Sequence, residues 1–415
     1  MTSNVAPLIR ALLALRHYFG ALLSVIALAA CTTLDRQLPV PASATERATV
    51  LGGLSNARYF PDTQANAILQ EAYSALDRER TSRDGGVTPN SLPDACFLAI
   101  SGGGDKGAFG AGLLVGWTER GDRPEFKLVT GISTGALIAP FAFLGSNYDD
   151  TLRILYTGVG QKDIVEPRWL LTAIFDESLG NTSPLFGLIS EYVTDAMLSE
   201  IAREYAKGRL LFIGTTDLDA QRPVIWNIGA IAASGRPGAV ELVRRILLAS
   251  AAIPGAFPPV MIDVDVDGVP HQEMHVDGGA IAQTFLYPPT LTTGIDLRSG
   301  PLVRVRRAYV IRNARLDPEW ALVDRRVFSI AGRAIATMIQ YSGQNDLYRL
   351  QTTALRDGID FNLAYIGPDF TMEHTAEFDQ PYMRALFEYG REQMRGGTAW
   401  HESSPALAPA QAVSH

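Results

Sequence analysis

A serine flanked by glycines occupies the setting in this chain best suited to chemistry. Ser133 is the centre of Gly131-Ile132-Ser133-Thr134-Gly135, between a strand-like stretch and a helix-like one. A serine on a sharp strand-to-helix turn projects its hydroxyl from the sheet, and neighbouring glycines remove side chains that would block a substrate. The pattern therefore predicts a nucleophile elbow with Ser133 as the attacking group.

A second glycine-rich segment precedes this serine. It follows another apolar, strand-like stretch and comprises Gly102, Gly103, Gly104, Asp105, Lys106 and Gly107. Backbone N–H groups at the start of a helix, without side chains around them, suit a developing oxyanion. The two segments together indicate acyl-transfer chemistry on a serine, with residues 102–107 as the oxyanion block.

The serine also needs a proton acceptor, because the pKa of its hydroxyl is far too high for attack at neutral pH. Of the six histidines, His271 and His275 are the two near other chemically interesting residues. Directly after them come Asp277, Gly278 and Gly279, with Asp277 at the end of a strand-like stretch. In an extended strand His275 shares a face with Asp277. A catalytic role for His275 therefore stays open, although strand histidines are more often packed or surface residues.

Three blocks in this order resemble the patatin-like phospholipase family. They are the oxyanion block at 102–107, the nucleophile block at 131–135 and the dyad block at 277–279. Three ordered motifs are far more specific than any one of them. The likeness covers roughly residues 94–300. It implies an α/β fold of the three-layer patatin-like type, a modified α/β hydrolase fold with a mainly parallel central sheet.

The resemblance also implies roles for individual residues. It implies a serine–aspartate dyad in which Ser133 is the nucleophile and Asp277 accepts its proton. The backbone N–H groups of residues 103–105 are then the oxyanion donors, and Gly278 and Gly279 let the chain turn away beside the acid. Because the reference pKa of an aspartate is about 3.9, such a dyad must gain from desolvation and direct geometry.

The activity that the resemblance implies is hydrolysis of carboxylic ester bonds in phospholipids, lysophospholipids or other lipid esters. The reaction passes through an acyl-enzyme on Ser133 and requires no metal and no organic cofactor. Two alternatives stay open. One is an acyltransferase that passes the acyl group to an alcohol or thiol, although the related acyl-carrier-protein transacylases pair serine with histidine rather than with an acid such as Asp277. The other is a catalytically silent lipid-binding lipoprotein.

The first thirty residues predict targeting rather than fold. Residues 1–30 read as a lipoprotein signal peptide, because the apolar stretch 20–30 is too short to span a bilayer comfortably. Leu28-Ala29-Ala30-Cys31 resembles the bacterial lipobox, which implies lipidation of Cys31 and a membrane-surface anchor. Thr32 is not the aspartate of inner-membrane retention, so the expectation is an outer-membrane lipoprotein of the bacterial cell envelope, facing the periplasm. An ordinary signal peptide with an incidental cysteine is the alternative.

Composition limits the remaining classes. The 415 residues, 47% of them apolar, are ample for a large core, and the net charge of −8 argues against nucleic acid as a partner. If Cys31 carries lipid, only Cys96 remains, and a lone cysteine in an apolar stretch reads as a small buried hydrophobe. A disulfide framework is therefore excluded.

After the signal peptide, residue composition and the pattern of apolar residues divide the chain into three parts. Residues 31–93 are predicted as a tether and N-terminal helical segment, 94–395 as the catalytic domain with its motif-bearing core at 94–300, and 396–415 as a disordered tail. Strands and helices alternate within the domain, which favours a mainly parallel sheet. The strand candidates are 96–100, 127–130, 210–215, 224–228, 261–266, 274–276, 307–311 and 362–366. The helix candidates are 62–83, 106–119, 134–145, 185–206, 239–250, 325–355 and 380–395, with a kink or early end expected at Pro140.

Two motifs invite other functions and are weaker. Residues 102–107 also match the G-x-G-x-x-G of dinucleotide-binding proteins, but the next strand runs into Gly131 rather than into an acid for the ribose. Residues 263–268 copy the first half of a calcium loop, but Met274 stands where a glutamate is required, and a hairpin with an Asp-Gly turn is simpler. No metal site is predicted.

Two features near the predicted site have open interpretations. Lys106 either contacts an anionic head group or only positions the loop. The apolar segment 169–175 either admits acyl chains as a flap or packs in the core, and core packing is the more common role for such a segment.

Overall fold

The computed structural model describes residues 36–82, 92–164, 166–167, 180–291 and 304–404. The signal peptide, Cys31, the segment 169–175 and the last eleven residues, 405–415, lie outside the described residues, so those predictions stay predictions.

One large sheet organises the described chain. The described strands are β1 (Arg58–Tyr59), β2 (Ala95–Ile100), β3 (Phe126–Gly131), β4 (Glu166–Pro167), β5 (Gly180–Asn181), β6 (Leu210–Asp217), β7 (Arg222–Asn227), β8 (Val260–Val266), β9 (Val269–Asp277), β10 (Arg306–Arg315) and β11 (Asp360–Ile366). All belong to the large sheet except β4 and β5, which form a separate two-stranded pair. The strand order is β1-β7-β6-β3-β2-β10-β11, and β9 joins through β6 and carries β8. The five strands from β6 to β11 in this order are parallel, whereas β7 and β9 run antiparallel to β6. The predicted α/β class with a mainly parallel central sheet is confirmed.

Helices cover both faces of this sheet. They are α1 (Ala65–Ser82), α2 (Gly107–Arg120), α3 (Thr134–Leu144), α4 (Asp149–Gly158), α5 (Gln161–Ile164), α6 (Ser183–Tyr192), α7 (Asp195–Ala206), α8 (Ile228–Ala233), α9 (Ala239–Ser250), α10 (Val327–Asp357) and α11 (Gln380–Arg395). Successive residues of a strand point to opposite faces. In β2, Leu98 and Ile100 enter one apolar core, whereas Phe97 and Ala99 face the other. Two cores on either side of one sheet make a three-layer molecule.

The topology brings the predicted motifs to one edge. Because β2 and β3 are parallel neighbours, their carboxyl ends lie side by side, and each runs into one of the glycine-rich blocks. Strand β9 is antiparallel to β6 and pairs Asp277 with Thr215 near the carboxyl end of β6. All three blocks therefore meet at the same edge of the sheet.

Several element boundaries differ from the sequence prediction. The single helix expected over 185–206 is two helices, because the Thr194 side chain accepts a hydrogen bond from Met197 N and caps α7. The strand expected to reach residue 228 stops at Asn227, whose side chain caps α8 by accepting from Ala230 N. Helix α3 runs past Pro140 to Leu144, so the early end expected there was wrong.

Both ends of the described chain pack more closely than predicted. Residues expected as a tether pair with the sheet: Thr49 forms a bridge with Asp265, and Ala44 is buried. At the other end, the partly buried ring of Trp400 packs at a tilt of 57° against the buried ring of Trp117, and such aromatic contacts stabilise the segment that carries the ring. Packed residues therefore continue beyond residue 396, where the predicted disordered tail begins. In the part of the chain that the structure describes, no helix has both the length and the apolar character to cross a membrane.

Candidate active site

Ser133 lies on a tight turn between β3 and α3. Its φ of 56° and ψ of −127° are unusual for a residue with a side chain, and such conformations concentrate at functional sites. The turn is closed by a hydrogen bond of 2.8 Å from Gly135 N to Ile132 O. A Cβ at Gly135 would overlap the carbonyl oxygen of Ile100, so only glycine permits this close approach. The predicted elbow is therefore present, and Ser133 is buried, with 7% of the residue exposed.

A second serine stabilises the elbow from behind. Ser250, at the end of α9, accepts a hydrogen bond of 3.0 Å from Ser133 N, and its hydroxyl donates to Gly214 O at 2.7 Å. This contact joins the elbow to β6. The Ser133 N–H is thereby occupied, so it is not free to bind an oxyanion.

Asp277 ends β9 and is buried beside Ser133. Its carboxylate accepts a hydrogen bond from the Ser133 hydroxyl and another, of 2.6 Å, from Gly279 N. Burial raises the pKa of Asp277 to about 7, although both hydrogen bonds act to lower it. Gly278 starts the short turn that leads the chain away. An acid with a pKa near neutrality is far better matched to proton transfer than an ordinary aspartate.

The oxyanion block forms a turn that leads into α2 next to the serine. The N–H groups of Gly102, Lys106 and Gly107 donate to Gln283 O, Gly103 O and Gly104 O respectively. Those three residues shape the loop. The N–H groups of Gly103, Gly104 and Asp105 have no acceptor among the described residues, which leaves them as the candidate oxyanion donors.

Asn313, on β10, holds this loop in place. Its N–H donates to Ser101 Oγ and its side-chain amide to Ser101 O, both at 2.9 Å, while Gly110 N donates to its Oδ1 at 3.0 Å. The loop passes so close that a Cβ at Gly103 would overlap the carbonyl oxygen of Asn313. Nothing in the local sequence around Asn313 indicated this contact.

An apolar cavity of about 90 Å³ opens beside these groups. Gly104, Asp105 and Thr134 line one part of it, where Thr134 Oγ1 lies 2.8 Å from the Tyr156 hydroxyl. The rest of the lining is mostly aliphatic and aromatic: Leu137, Pro140, Phe141, Leu155, Val159, Ile164, Leu185, Leu188, Ile189, Tyr192, Val193, Leu247, Phe378 and Met383. A hydrocarbon chain is the chemical group that such a cavity accepts.

One group of acids and histidine, here called the outer cluster, holds the oxyanion block from outside. It consists of Asp105, His374 and Glu377. The Asp105 carboxylate oxygen Oδ2 lies 2.8 Å from His374 Nε2 and accepts from Phe378 N at 2.9 Å. The hydrogen bond to Asp105 raises the pKa of His374. A segment far along the chain thus fastens the loop that carries the oxyanion donors.

A second group, here called the inner cluster, lies along β9 behind the dyad. It consists of Arg58, Asp217, Glu273 and His275, all buried. The Glu273 carboxylate binds both terminal nitrogens of the Arg58 guanidinium and lies 3.2 Å from His275 Nε2. His275 Nδ1 lies 3.0 Å from Thr215 Oγ1. Both ring nitrogens of His275 are therefore engaged away from the dyad.

The inner and outer clusters each bring three possible metal ligands within 4.8 Å of one another. In the inner cluster the Arg58 guanidinium already neutralises Glu273. In the outer cluster the Asp105 oxygen that faces His374 also accepts from Phe378 N. In both groups, several of the ligand atoms that approach one another therefore already pair with protein groups.

The other sequence candidates lie elsewhere. Lys106 Nζ forms an ion pair of 3.1 Å with Glu319. His271 Nδ1 lies 2.8 Å from Val269 O, within its own strand. The calcium-like segment is the predicted hairpin between β8 and β9, where Asp267 and Gly268 have φ of 54° and 86° and form the turn.

Part of the chain matches a known protein family. Residues 98–288 match the family model described as patatin-like phospholipase. Among solved structures the chain is similar to VipD from Legionella pneumophila, at 12% identity and a TM-score of 0.31, covering 74% of this chain and 67% of that one. It is also similar to human GIVD cytosolic phospholipase A2, at 9% identity and a TM-score of 0.30, covering 82% of this chain and 65% of that one. The search of curated proteins gave no match.

The matched range contains all three blocks from which the resemblance was inferred, so that inference is confirmed. Residues 98–288 therefore form a patatin-like phospholipase domain, and this match supports lipid hydrolase activity.

Proposed function

We propose that the chain hydrolyses carboxylic ester bonds of phospholipids or lysophospholipids through an acyl-enzyme on Ser133, with Asp277 as its base. The observation that carries the proposal is the hydrogen bond from the Ser133 hydroxyl to the buried Asp277 carboxylate. It lies beside backbone N–H groups at residues 103–105 that have no acceptor in the described chain.

The proposed reaction has two halves. As Ser133 Oγ attacks the ester carbonyl carbon, Asp277 takes the hydroxyl proton and the N–H groups of residues 103–105 stabilise the negative oxygen. The proton then passes to the leaving alcohol as the C–O bond breaks, which leaves the acyl group on Ser133. Water attacks this ester by the same route and releases a fatty acid. Each oxyanion donor contributes about 2.7–4 kcal/mol to lowering such a barrier.

The apolar cavity supports a lipid as the substrate. Thr134 follows the nucleophile directly in the chain and contributes to the lining, as do Gly104 and Asp105 of the oxyanion block. An acyl chain in this cavity would have its carbonyl carbon near Ser133. Lipid hydrolysis therefore accounts for the buried dyad and the apolar cavity together.

The test is product analysis with mixed phospholipids. The full chain is expected to release free fatty acids, whereas Ser133→Ala and Asp277→Asn lose the activity almost completely. Ser199→Ala, which replaces an exposed serine on α7, serves as the matched control and should retain it. A fluorophosphonate should label the wild type and not Ser133→Ala.

Other outcomes would redirect the assignment. Acyl transfer to an added alcohol or thiol that outruns fatty-acid release would favour an acyltransferase using the same serine. Folded protein that neither reacts with the fluorophosphonate nor releases fatty acid would contradict the proposal and favour a lipid-binding lipoprotein.

We also propose that the chain is anchored as a lipoprotein on the outer membrane, facing the periplasm. The support is the motif Leu28-Ala29-Ala30-Cys31, together with Thr32 in place of an aspartate. Mass spectrometry of the mature N-terminus should find a lipid-modified Cys31. An unmodified cysteine in the mature protein would contradict this proposal.

A further inference from the structure

The first half of α10 exposes an apolar face to solvent. Val327, Ile330, Ala334, Met338 and Tyr341 are all exposed. Their spacing of three or four residues places them on one side of the helix. The second half of the same helix is different, because residues such as Leu347 and Leu350 are buried in the core.

The polar side of this half of the helix is the one that contacts the protein. Arg333 donates to Glu319 O, and Gln340 Nε2 donates to Arg315 O at 3.0 Å. Gln344 Nε2 donates to Leu316 O at 2.8 Å. A helix on the surface of a globular protein normally turns its apolar face inward. Here the polar face is inward and the apolar face is outward.

The loop before α10 extends the same surface. Trp320 is 88% exposed and Leu322 is 84% exposed. Arg325 and Arg326 follow, both exposed, with Asp324 as their acidic neighbour. Tryptophan together with arginine and aliphatic side chains is typical of segments that lie in the interfacial region of a bilayer.

This surface is joined to the oxyanion block. Glu319, in the same loop, forms the ion pair with Lys106, one residue after Asp105. The loop before α10 thus contacts Lys106, which is adjacent in the chain to Asp105 of the cavity lining.

We propose that the loop 316–326 and residues 327–341 of α10 form a membrane-docking surface that lies in the head-group region of an anionic bilayer. The apolar side chains enter the acyl boundary, and Arg325 and Arg326 pair with anionic head groups. This inference rests on the proposed lipid hydrolase function and names the physical state of its substrate, a lipid packed in a bilayer. Docking there brings the bilayer surface next to the cavity beside Ser133.

The first test reads bilayer contact at one position of the helix. An environment-sensitive fluorophore is attached to Met338→Cys in the full chain with Ser133→Ala, which keeps the lipid intact, and Cys31→Ser, which leaves the buried Cys96 as the one native cysteine. Leu355→Cys, also exposed but at the opposite end of α10, is the matched control. In vesicles of phosphatidylcholine and phosphatidylglycerol, acyl-chain spin labels should quench the probe at 338 and not the probe at 355. Equal absence of quenching at both positions would overturn the proposal.

The second test separates the charged from the apolar contribution. Arg325→Gln with Arg326→Gln should weaken binding to the anionic vesicles by about thirtyfold, since each arginine near an anionic surface contributes roughly a fivefold effect. Binding to vesicles of phosphatidylcholine alone should change little. Hydrolysis of a soluble short-chain ester by the same variant with Ser133 intact should also be unchanged. Equal loss on both kinds of vesicle would contradict the docking surface.

The outcomes distinguish this proposal from the function on which it rests. Quenching at 338 without Ser133-dependent ester cleavage contradicts the proposed function alone, and cleavage without quenching contradicts the docking surface alone. A dimer in lipid-free solution that Met338→Ser dissociates, with no quenching in vesicles, would show that a second copy covers this face and would overturn the bilayer as its partner.

Discussion

Two buried acids on one strand, Glu273 and Asp277, have opposite electrostatic settings. Both lie on β9, four residues apart, and both are almost fully buried, at 1% and 4% exposure. Burial by itself raises the pKa of either carboxyl. For Glu273 the Arg58 guanidinium and His275 outweigh burial and lower the pKa to about 2. For Asp277 no cation among the described residues offsets burial, and its pKa rises to about 7.

The difference separates a structural acid from the acid that we propose as the catalytic base. Glu273 is paired with both terminal nitrogens of Arg58, and this ion pair ties β9 to strand β1. Asp277 receives hydrogen bonds from Ser133 and Gly279 that do not compensate for its burial, so it readily accepts a proton. The same strand therefore carries one acid whose ion pair stabilises the fold and another whose raised pKa suits the proposed role of a base.

Removing the Arg58 cation that pairs with Glu273 should have the largest effect on the stability of the fold. Arg58→Met leaves the Glu273 carboxylate buried and unpaired, and breaking a buried ion pair in this way costs about 3–5 kcal/mol. The measurement is the free energy of unfolding from urea titration at neutral pH. Arg245→Met, which breaks the surface pair of Arg245 with Glu241, is the control and should cost less than about 0.5 kcal/mol. Equal small losses in the two variants would show that Glu273 does not depend on its cation.

Removing the charge of Asp277 should change the free energy of unfolding in the opposite direction and make the fold more stable. Folding raises the pKa of Asp277 from 3.8 to about 7. Between pH 3.8 and pH 7, Asp277 is therefore ionised in the unfolded chain but still protonated in the folded one, so the free energy of unfolding falls as the pH rises. Asp277→Asn lacks this penalty. The variant should be more stable than the wild type by a few kcal/mol at pH 8, and the gain should vanish near pH 3.5.

The check is urea unfolding of Asp277→Asn and wild type at both pH values. Asp360→Asn, at an exposed position on β11, is the control and should change stability little at either pH. An Asp277→Asn variant that is less stable than the wild type at pH 8 would show that the carboxylate is stabilised in the fold, as Glu273 is.

The pH dependence of the reaction rate should show the same raised pKa of Asp277. If Asp277 must be ionised to accept the Ser133 proton, kcat/KM for a soluble ester should fall about tenfold per pH unit below pH 7. Rates are measured from pH 5 to pH 9. A profile that stays flat down to pH 5 would mean that the base ionises like an ordinary aspartate, and the contrast with Glu273 would then have no catalytic meaning.

Much of this arrangement could be predicted from the sequence. The motif blocks around Ser133 and Asp277 depend on residues that are adjacent in the chain, and strand bounds such as those of β2 and β3 follow from short apolar runs. The wrong division of 185–206 arose because Thr194, which caps α7, looks like any polar residue within a periodic stretch.

The partners that tune the site could not be predicted in this way. Arg58 lies 215 positions from Glu273, Asn313 lies 212 from Ser101, and His374 lies 269 from Asp105. Each pair is joined only by the folded topology, which brings strand β1, strand β10 and the segment before α11 against the motif blocks. No local pattern carries information about such contacts.

The smallest expected effect is that of replacing His275, which lies between Glu273 and Asp277 on β9. His275 Nε2 lies 3.2 Å from the Glu273 carboxylate, and Nδ1 lies 3.0 Å from Thr215 Oγ1, which accepts a hydrogen bond from Trp226 Nε1 at 2.8 Å. His275→Gln can keep one of these two bonds, so the free energy of unfolding should fall by about 1 kcal/mol. The kcat for ester hydrolysis should stay within a few-fold of wild type, because neither ring nitrogen faces the dyad. Loss of activity as severe as that of Ser133→Ala would instead make the histidine a third catalytic member, and the division of β9 into a structural acid and a catalytic acid would fail.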